Sequence, residues 1–256
     1  INGILYGYLY DDQGNEIEID DQRTAPIDFS FNPYYEKNFR FYDRTLMEAI
    51  NRGDEDCCRF FTLLCVCHTV MAEDRPAERG GLTYQAQSPD EGALVSAARN
   101  FGFVFKSRTP KTITVSIKGE EKTYDVLNIL DFNNVRKRMS VICRIDGKIV
   151  LFCKGADTII KERLSKKCLS LFELTEEHLN KFAEDALRTL CLAYKEISEK
   201  EYKQWAHEYH EASTSLENRA DKVSDVYEKI ETDLMYIGST AIEDKLQDGV
   251  PECIAK

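Results

Sequence analysis

Apolar and polar positions alternate through the middle of the chain. Phe103 and Phe105, then Ile113, Val115 and Ile117, then Tyr124, Val126, Leu127 and Ile129 predict consecutive antiparallel strands. Lys118-Gly119-Glu120 supplies one hairpin turn. The alternation resumes over 139–144 and 149–153 around Asp146-Gly147, a strong two-residue hairpin signal. The flanks are helical. Asp43 is placed to cap a helix over 44–51 with Gly53 near its end, and Asp56 to cap the apolar helix carrying Phe60, Leu63, Leu64 and Cys67. The most apolar run, 60–70, reads as part of that buried helix. Gly80-Gly81 marks a loop. Ser88-Pro89-Asp90-Glu91 is a complete helix start, with Ser88 as N-cap, Pro89 in the first turn and Glu91 at the capping-box position, and the helix is predicted to run to Asn100.

After Asp157 the pattern turns helical. Thr175 is expected to cap a helix over 176–189, a strand follows over 191–197, Ser198 caps a long charged helix to His210, and a last strand covers 234–239. The first 38 residues have no helical period and predict short strands followed by an acidic loop over 11–28, the least ordered part. Strands in a run followed by helices in a run predict an α+β fold, a twisted antiparallel β-sheet flanked by helices. No internal repeat is visible.

Composition narrows the function. With 43% hydrophobic and 31% charged residues among 256, the chain can bury a real core, and no stretch reaches the roughly 18 apolar residues that cross a bilayer. A net charge of -11 argues against a nucleic-acid partner, because neutralising many phosphates takes a broad basic face. Nine cysteines without framework spacing fit reduced thiols better than a disulfide scaffold.

Four segments carry the unusual chemistry: 88–94, 131–141, 154–158 and 187–192. In Asp131-Phe132-Asn133-Asn134-Val135-Arg136-Lys137-Arg138 a large aromatic stands beside polar residues and a basic triplet, just before a strand resumes. Phe132 can offer a purine an apolar face, and Lys137 then lies within reach of phosphates. Alone, Phe132 fits a core aromatic equally well and the triplet a solvated turn. Lys154-Gly155-Ala156-Asp157 ends a strand at a glycine, which permits close backbone approach to a ligand and sets the ammonium at the strand's end. Arg188 sits in an apolar segment read as a helix end, where a guanidinium needs an anion, either a ligand's or that of Glu184 or Asp185. Glu91 is placed either to bond back to the Ser88 amide or to face the amino edge of a base.

Two rival readings stand beside this. His207-Glu208-Tyr209-His210 and Cys65-Val66-Cys67-His68 resemble metal sites, but the histidines are at i and i+3 where a zincin needs i and i+4, and the cysteine spacing does not converge on one point. The other rival is a non-catalytic interaction module with a vestigial nucleotide pocket, binding partners through the acidic loop or the helical region 199–231.

The segments Ser88-Pro89-Asp90-Glu91-Gly92-Ala93-Leu94, Phe132 with its neighbours, Cys153-Lys154-Gly155-Ala156-Asp157, Leu187-Arg188-Thr189-Leu190 and Ala241-Ile242-Glu243-Asp244-Lys245-Leu246-Gln247 resemble, in order and spacing, the nucleotide-binding domain of type IV P-type ATPases, the phospholipid flippases. Overall similarity is to the eight-B group of class I catalytic subunits. The resemblance covers nearly the whole chain. It implies that Phe132 stacks an adenine, Glu91 faces its amino edge, Lys154 lines the pocket, Lys137 and Arg188 approach the phosphates, and Asn134 and Thr189 add hydrogen bonds. Where flippases commonly have Ser and Asp after Phe-Asn, this chain has Asn134 and Val135. The ligand implied is ATP, with Mg²⁺ used by the parent enzyme but held by residues absent here. The Asp-Lys-Thr-Gly-Thr motif that accepts the γ-phosphoryl does not occur, so a chain that binds ATP without hydrolysing it is expected, with no catalytic residue of its own. Both ends read as cuts inside a longer protein. Residues 1–237 form the nucleotide-binding domain, and 238–256 are read as a hinge and the start of the phosphorylation domain, with a helix beginning over 252–256. The implied setting is the cytosolic side of a multi-pass protein of the plasma, Golgi or endosomal membrane. The implied partners are that protein's phosphorylation and actuator domains, a possible accessory subunit, and a phospholipid met only by its membrane helices.

Overall fold

In the computed structural model, which describes residues 1–76 and 80–244, the chain opens with a small ladder of β1 (Leu9–Tyr10) and β2 (Glu16–Ile17). Then come α1 (Arg44–Asn51), α2 (Glu55–Val66), the hairpin of β3 (Met71–Asp74) and β4 (Leu82–Gln85), and α3 (Pro89–Asn100). Five consecutive strands follow: β5 (Phe103–Arg108), β6 (Thr112–Ile117), β7 (Glu120–Leu130), β8 (Arg138–Ile145) and β9 (Lys148–Gly155). After α4 (Asp157–Arg163) and α5 (Leu169–Glu184) come β10 (Leu187–Ile197), α6 (Glu199–Ser213), α7 (Arg219–Ile230) and β11 (Met235–Glu243).

The seven strands from β5 to β11 make one antiparallel sheet in spatial order β11-β10-β9-β8-β7-β6-β5. The predicted turn at Asp146-Gly147 joins β8 to β9 with both residues at positive φ, 49° and 79°, as a twist-matched two-residue hairpin requires. Alternate residues of each strand face opposite ways. Met139, Val141 and Phe152 pack with Phe61, Phe103 and the helices α1 to α3, while Ile142, Leu151 and Cys153 pack with Phe172, Trp205 and Ile230 from α5 to α7. Both faces of the sheet are therefore covered, and β8 is buried at six of its eight positions.

Four local predictions are corrected. Asp54, not Asp56, caps α2: its non-helical backbone, with ψ 118°, lets its carboxylate accept from the Cys57 amide at 3.0 Å, while Asp56 already lies in the first turn. That helix stops at Val66 rather than continuing to residue 70, and the chain then passes through His68 into β3, an exposed hairpin strand with no apolar alternation to announce it. Thr175 lies inside α5, where its hydroxyl donates back to the Leu171 carbonyl at 3.0 Å; the helix starts at Leu169 after a short 3-10 turn capped by Ser165. Ala186, at φ 57°, ends the helical path. Arg188 and Thr189 consequently sit on β10, opposite Ile242 and Ala241 of β11, and not at a helix end. Residues 245–256, which include the predicted helix start over 252–256, lie outside the described residues.

Candidate functional site

The four segments singled out in the sequence converge at one end of the sheet. Gly155 at the end of β9 pairs with Arg138 at the start of β8, and on its other side with Cys191 of β10. The loop 131–137, the segment 155–157 and the start of β10 are thus neighbours. The first turn of α3 is tied to the same end by ion pairs.

Ser88 caps that helix as predicted, accepting from the Glu91 amide at 3.1 Å. The Glu91 side chain does not return to Ser88. Its carboxylate accepts from the Thr69 amide (2.6 Å) and the Thr69 hydroxyl (3.0 Å), and Oε1 stands 3.8 Å from Lys154 Nζ. A carboxylate offers about four acceptor positions, so capacity remains for a base's amino group. Lys154 is only 8% exposed and lies between β8 and β10, opposite Met139 and Leu192. It is therefore a buried cation within the sheet, close to its end, rather than one standing free of it.

Asp90, the residue before Glu91, pairs with Arg188, whose guanidinium also stands 3.6 Å from Asp244. The partners weighed from sequence, Glu184 and Asp185, are not used in this way; Asp185 accepts from the Tyr8 hydroxyl instead. Arg188 remains half exposed. By the alternation of β10, Arg188 shares a face with Leu190 and Leu192, whereas Thr189 points to the face of Cys191, so these two neighbours are not brought together.

In the loop after β7, Asn133 Oδ1 accepts from the amides of Val135 (3.0 Å) and Arg136 (2.7 Å) and closes a tight turn. This leaves Phe132 59% exposed, with no stacked ring among the described residues, and Val135 88% exposed beside it. Asn134 is exposed at the tip. The basic triplet splits: Arg136 and Arg138 are buried, and only Lys137 reaches solvent. Lys137 adopts φ 53°, its carbonyl accepting from the Ala156 amide at 3.2 Å. A Cβ on Gly155 would stand 2.7 Å from that carbonyl and 2.7 Å from Arg138 Cβ. The glycine thus permits the loop to lie against β9; the close approach is to the protein's own backbone.

The triplet's buried arginines meet Glu231 and Glu228 at the end of α7. Burial raises the Glu228 carboxyl, but the hydrogen bonds and charges of Arg163 and Arg138 outweigh it and hold the group below its ordinary value. Neither Asp90, Thr69 nor Glu231 was found from sequence. Asp90 carried a signal, since it adjoins Glu91 on the predicted first turn; Glu231, following an apolar residue at a helix end, carried none.

The segment suspected of metal binding is committed elsewhere. His68 is fully buried: Nε2 bonds the Cys65 carbonyl (2.7 Å), and Nδ1 accepts from the Val70 amide (3.1 Å) and Arg108 Nη2 (2.8 Å). Both ring nitrogens are used. Burial pushes the Cys67 thiol up to about 12, under the carbonyls of Met139 and Phe152. His207 lies on an exposed face of α6, 3.1 Å from Glu211.

The family described as P-type ATPase, cytoplasmic domain N, matches residues 56–249. The chain is 55% identical over its whole length to the phospholipid-transporting ATPase ID of Mus musculus, of which it spans 21%. It is 53% identical to the phospholipid-transporting ATPase FetA of the same species, over 99% of this chain and 21% of that protein. It is 53% identical to the phospholipid-transporting ATPase IC of Xenopus tropicalis, over 98% of this chain and 19% of that protein. The chain spans about a fifth of the length of these relatives. With the family match covering the whole seven-stranded sheet and all four site segments, the chain belongs to the P-type ATPase family, as its cytoplasmic domain N.

Proposed function

We propose that this chain is the ATP-binding cytosolic domain of a phospholipid-transporting P-type ATPase, a flippase, and that it presents ATP to an aspartate lying outside this sequence. The observation that supports it best is the first turn of α3, where consecutive carboxylates hold Lys154 and Arg188 at the sheet end that also displays Phe132. An exposed aromatic with no ring partner among the described residues, beside two oriented cations, suits a purine nucleotide, whose base needs a face and whose phosphates need charge. Phe132 stacks the adenine, Glu91 takes its amino edge, Lys154 lines the pocket, and Lys137 and Arg188 meet the phosphates. Asn134 at the loop tip is available to the same ligand. Thr189 acts from the opposite face of β10, on the strand that carries Arg188.

Mg²⁺ in such an enzyme offsets charge on the transferring phosphates. The described residues contain no group of three His, Cys, Asp or Glu able to hold a metal ion. Residues 238–256 belong, in this reading, to the hinge and the start of the phosphorylation domain. The chain's beginning packs against the middle of β11: the Asn2 amide donates to the Ile237 carbonyl at 2.8 Å, and a Cβ on Gly238 would stand 3.0 Å from Ile1 Cα. Hinge segments let a domain swing as one body, which in this reading delivers ATP to the phosphorylation domain. The other partners in this reading are the actuator domain, an accessory subunit, and a phospholipid handled in membrane helices of the parent, in the plasma, Golgi or endosomal membrane.

Titration of the ¹⁵N-labelled chain with ATP tests the binding. Shifts at Phe132, Lys154 and Arg188, saturating in the millimolar range or below, are expected; no perturbation there at several millimolar ATP rejects the proposal. No phosphate release is expected, because the phosphoryl-accepting motif is absent from the sequence.

A further inference from the structure

The loop that carries Phe132 and Lys137 is held from behind the sheet by one carboxylate. Glu231 caps the C-terminus of α7 and is fully buried. It receives Arg136 as a fork, Nη1 at 2.6 Å and Nη2 at 3.1 Å. The Ser140 hydroxyl donates to it at 2.5 Å, and Arg138 Nη2 stands 3.2 Å away. A carboxylate with this many donors fixes the orientation of each, and bidentate arginine pairing fixes a plane as well as a distance.

Arg136 transmits that orientation to the loop. Its Nε donates to the Asp131 carbonyl at 3.1 Å, the residue directly before Phe132, and its amide donates to Asn133 Oδ1. Its guanidinium lies over the Tyr227 ring of α7, 4.8 Å from the centroid. One residue therefore joins Asp131 at the start of the Phe132 turn, Asn133 within it, and α7. On the other side of Lys137, Arg138 Nη1 donates to the Arg136 carbonyl at 3.0 Å, while Nη2 reaches Glu228 at 2.9 Å. Both neighbours of Lys137 are drawn down toward α7, and the left-handed backbone at Lys137 is the turn that releases the lysine from the same burial.

We infer that Glu231 is a positioning residue for nucleotide binding: through Arg136 it sets the Phe132 turn, and so α7, which bears no proposed nucleotide contact, controls affinity from the far face of the sheet. This rests on the nucleotide reading above. Arg136, Arg138 and Arg163 are all held by Glu228 and Glu231, so the guanidinium groups are already engaged and the cluster's function is orientation rather than attraction of phosphate.

The test uses the whole chain with Arg136→Lys, Arg136→Gln, Glu231→Gln and the double variant Arg136→Gln/Glu231→Gln. Lysine keeps the charge toward Glu231 but cannot reach the Asp131 carbonyl at the same time, so Arg136→Lys isolates the transmission while disturbing the fold least. Without ligand, the Phe132 ring and the Lys137 amide should change chemical shift and broaden, while amide protection in β8 and β9 is retained. With ATP, Arg136→Lys is expected to weaken binding about fivefold to twentyfold and inorganic tripolyphosphate much less, since the loss falls on the base. Arg136→Gln and Glu231→Gln should each weaken ATP, and the double variant no more than the worse single one. Unchanged Phe132 signals together with parent-like ATP binding in Arg136→Lys would overturn the inference, as would fully additive losses in the double variant. If Glu231→Gln fails to fold, the Arg136→Lys comparison still decides. Failure of the unsubstituted chain to bind ATP rejects the nucleotide reading alone, and the ligand-free Phe132 signals then decide whether Glu231 and Arg136 set the turn.

Discussion

Glu91 and Lys154 face each other at 3.8 Å, one on the first turn of α3 and the other on the ninth strand, with Thr69 holding the carboxylate by both its amide and its hydroxyl. Both side chains are largely shielded from water, at 15% and 9% exposure. Removing the carboxylate strips a part-buried amide of its acceptor and leaves a buried ammonium without its nearest counter-charge. Glu91→Ala should therefore lower unfolding free energy by about 2 kcal/mol, within the range for an orphaned buried donor near a charge. Urea denaturation followed by circular dichroism measures it, and a loss below about 0.5 kcal/mol, the ordinary surface value, would show that the contact is incidental.

Phe132 separates stability from binding. Because 59% of it is exposed and it stacks on no described ring, Phe132→Ala should change stability by no more than about 0.5 kcal/mol. The same change should weaken ATP, ADP and adenosine alike by about 1–3 kcal/mol, roughly fivefold to 150-fold. Calorimetric titration with all three ligands checks this. A loss confined to ATP would contradict a role in stacking the base.

The sheet was legible wherever a local rule acts alone. The capped start of α3 at Ser88-Pro89 and the Asp146-Gly147 hairpin depend on a few adjacent residues, and both form as those residues dictate. Where two local solutions compete, the sequence did not decide. Asp54 and Asp56 can each cap a helix, and the preceding backbone selects Asp54; Thr175 has capping chemistry but sits inside a helix begun by Ser165 and Leu169. The loop bearing Phe132 was visible from composition, because an aromatic beside a basic triplet before a strand is unusual. Its organisation was not. Arg136 and Lys137 are chemically alike, and their division into one buried and one exposed cation follows from Glu231, a residue far along the chain that meets them only after the sheet is closed. The Asp90–Arg188 pair was hidden for the same reason.

That pair makes a prediction of opposite sign. The Arg188 guanidinium is engaged by Asp90 and approached by Asp244, so an incoming phosphate must compete with carboxylates for it. Asp90→Asn should tighten ATP a few-fold while leaving adenosine unchanged, because only the phosphates meet the freed charge. Arg188→Ala should do the reverse and reduce discrimination between ATP, ADP and AMP. Equal effects of either substitution on adenosine and ATP would place Arg188 away from the phosphates. Both measurements belong at low ionic strength, where half-exposed charges are screened least.

His68 links the acid limit of stability to the segment that holds Glu91. Burial holds its pKa well below 6.5, aided by the charges of Arg108 and Lys154. Its tautomer is fixed: Nε2 donates to the Cys65 carbonyl, and Nδ1 must stay unprotonated to accept from the Val70 amide and Arg108. In the unfolded chain the same imidazole titrates near 6.5. Between its depressed native pKa and 6.5 the unfolded state binds the extra proton, so stability is full above 6.5 and declines as pH falls below it. From about pH 7.5 to about 5.5 stability should therefore fall, as for any group that titrates in the unfolded chain but not in the folded one. His178, also held low chiefly by burial, acts in the same direction, so the comparison needs a variant. His68→Gln removes the titrating group, and its urea midpoint should vary with pH by correspondingly less than that of the parent. Parallel curves for the two proteins across this window would show that His68 is protonated in the folded domain. Because His68 stays neutral in the folded domain across this window, the Thr69 hold on Glu91 is kept, and nucleotide affinity should not change through His68 while stability declines.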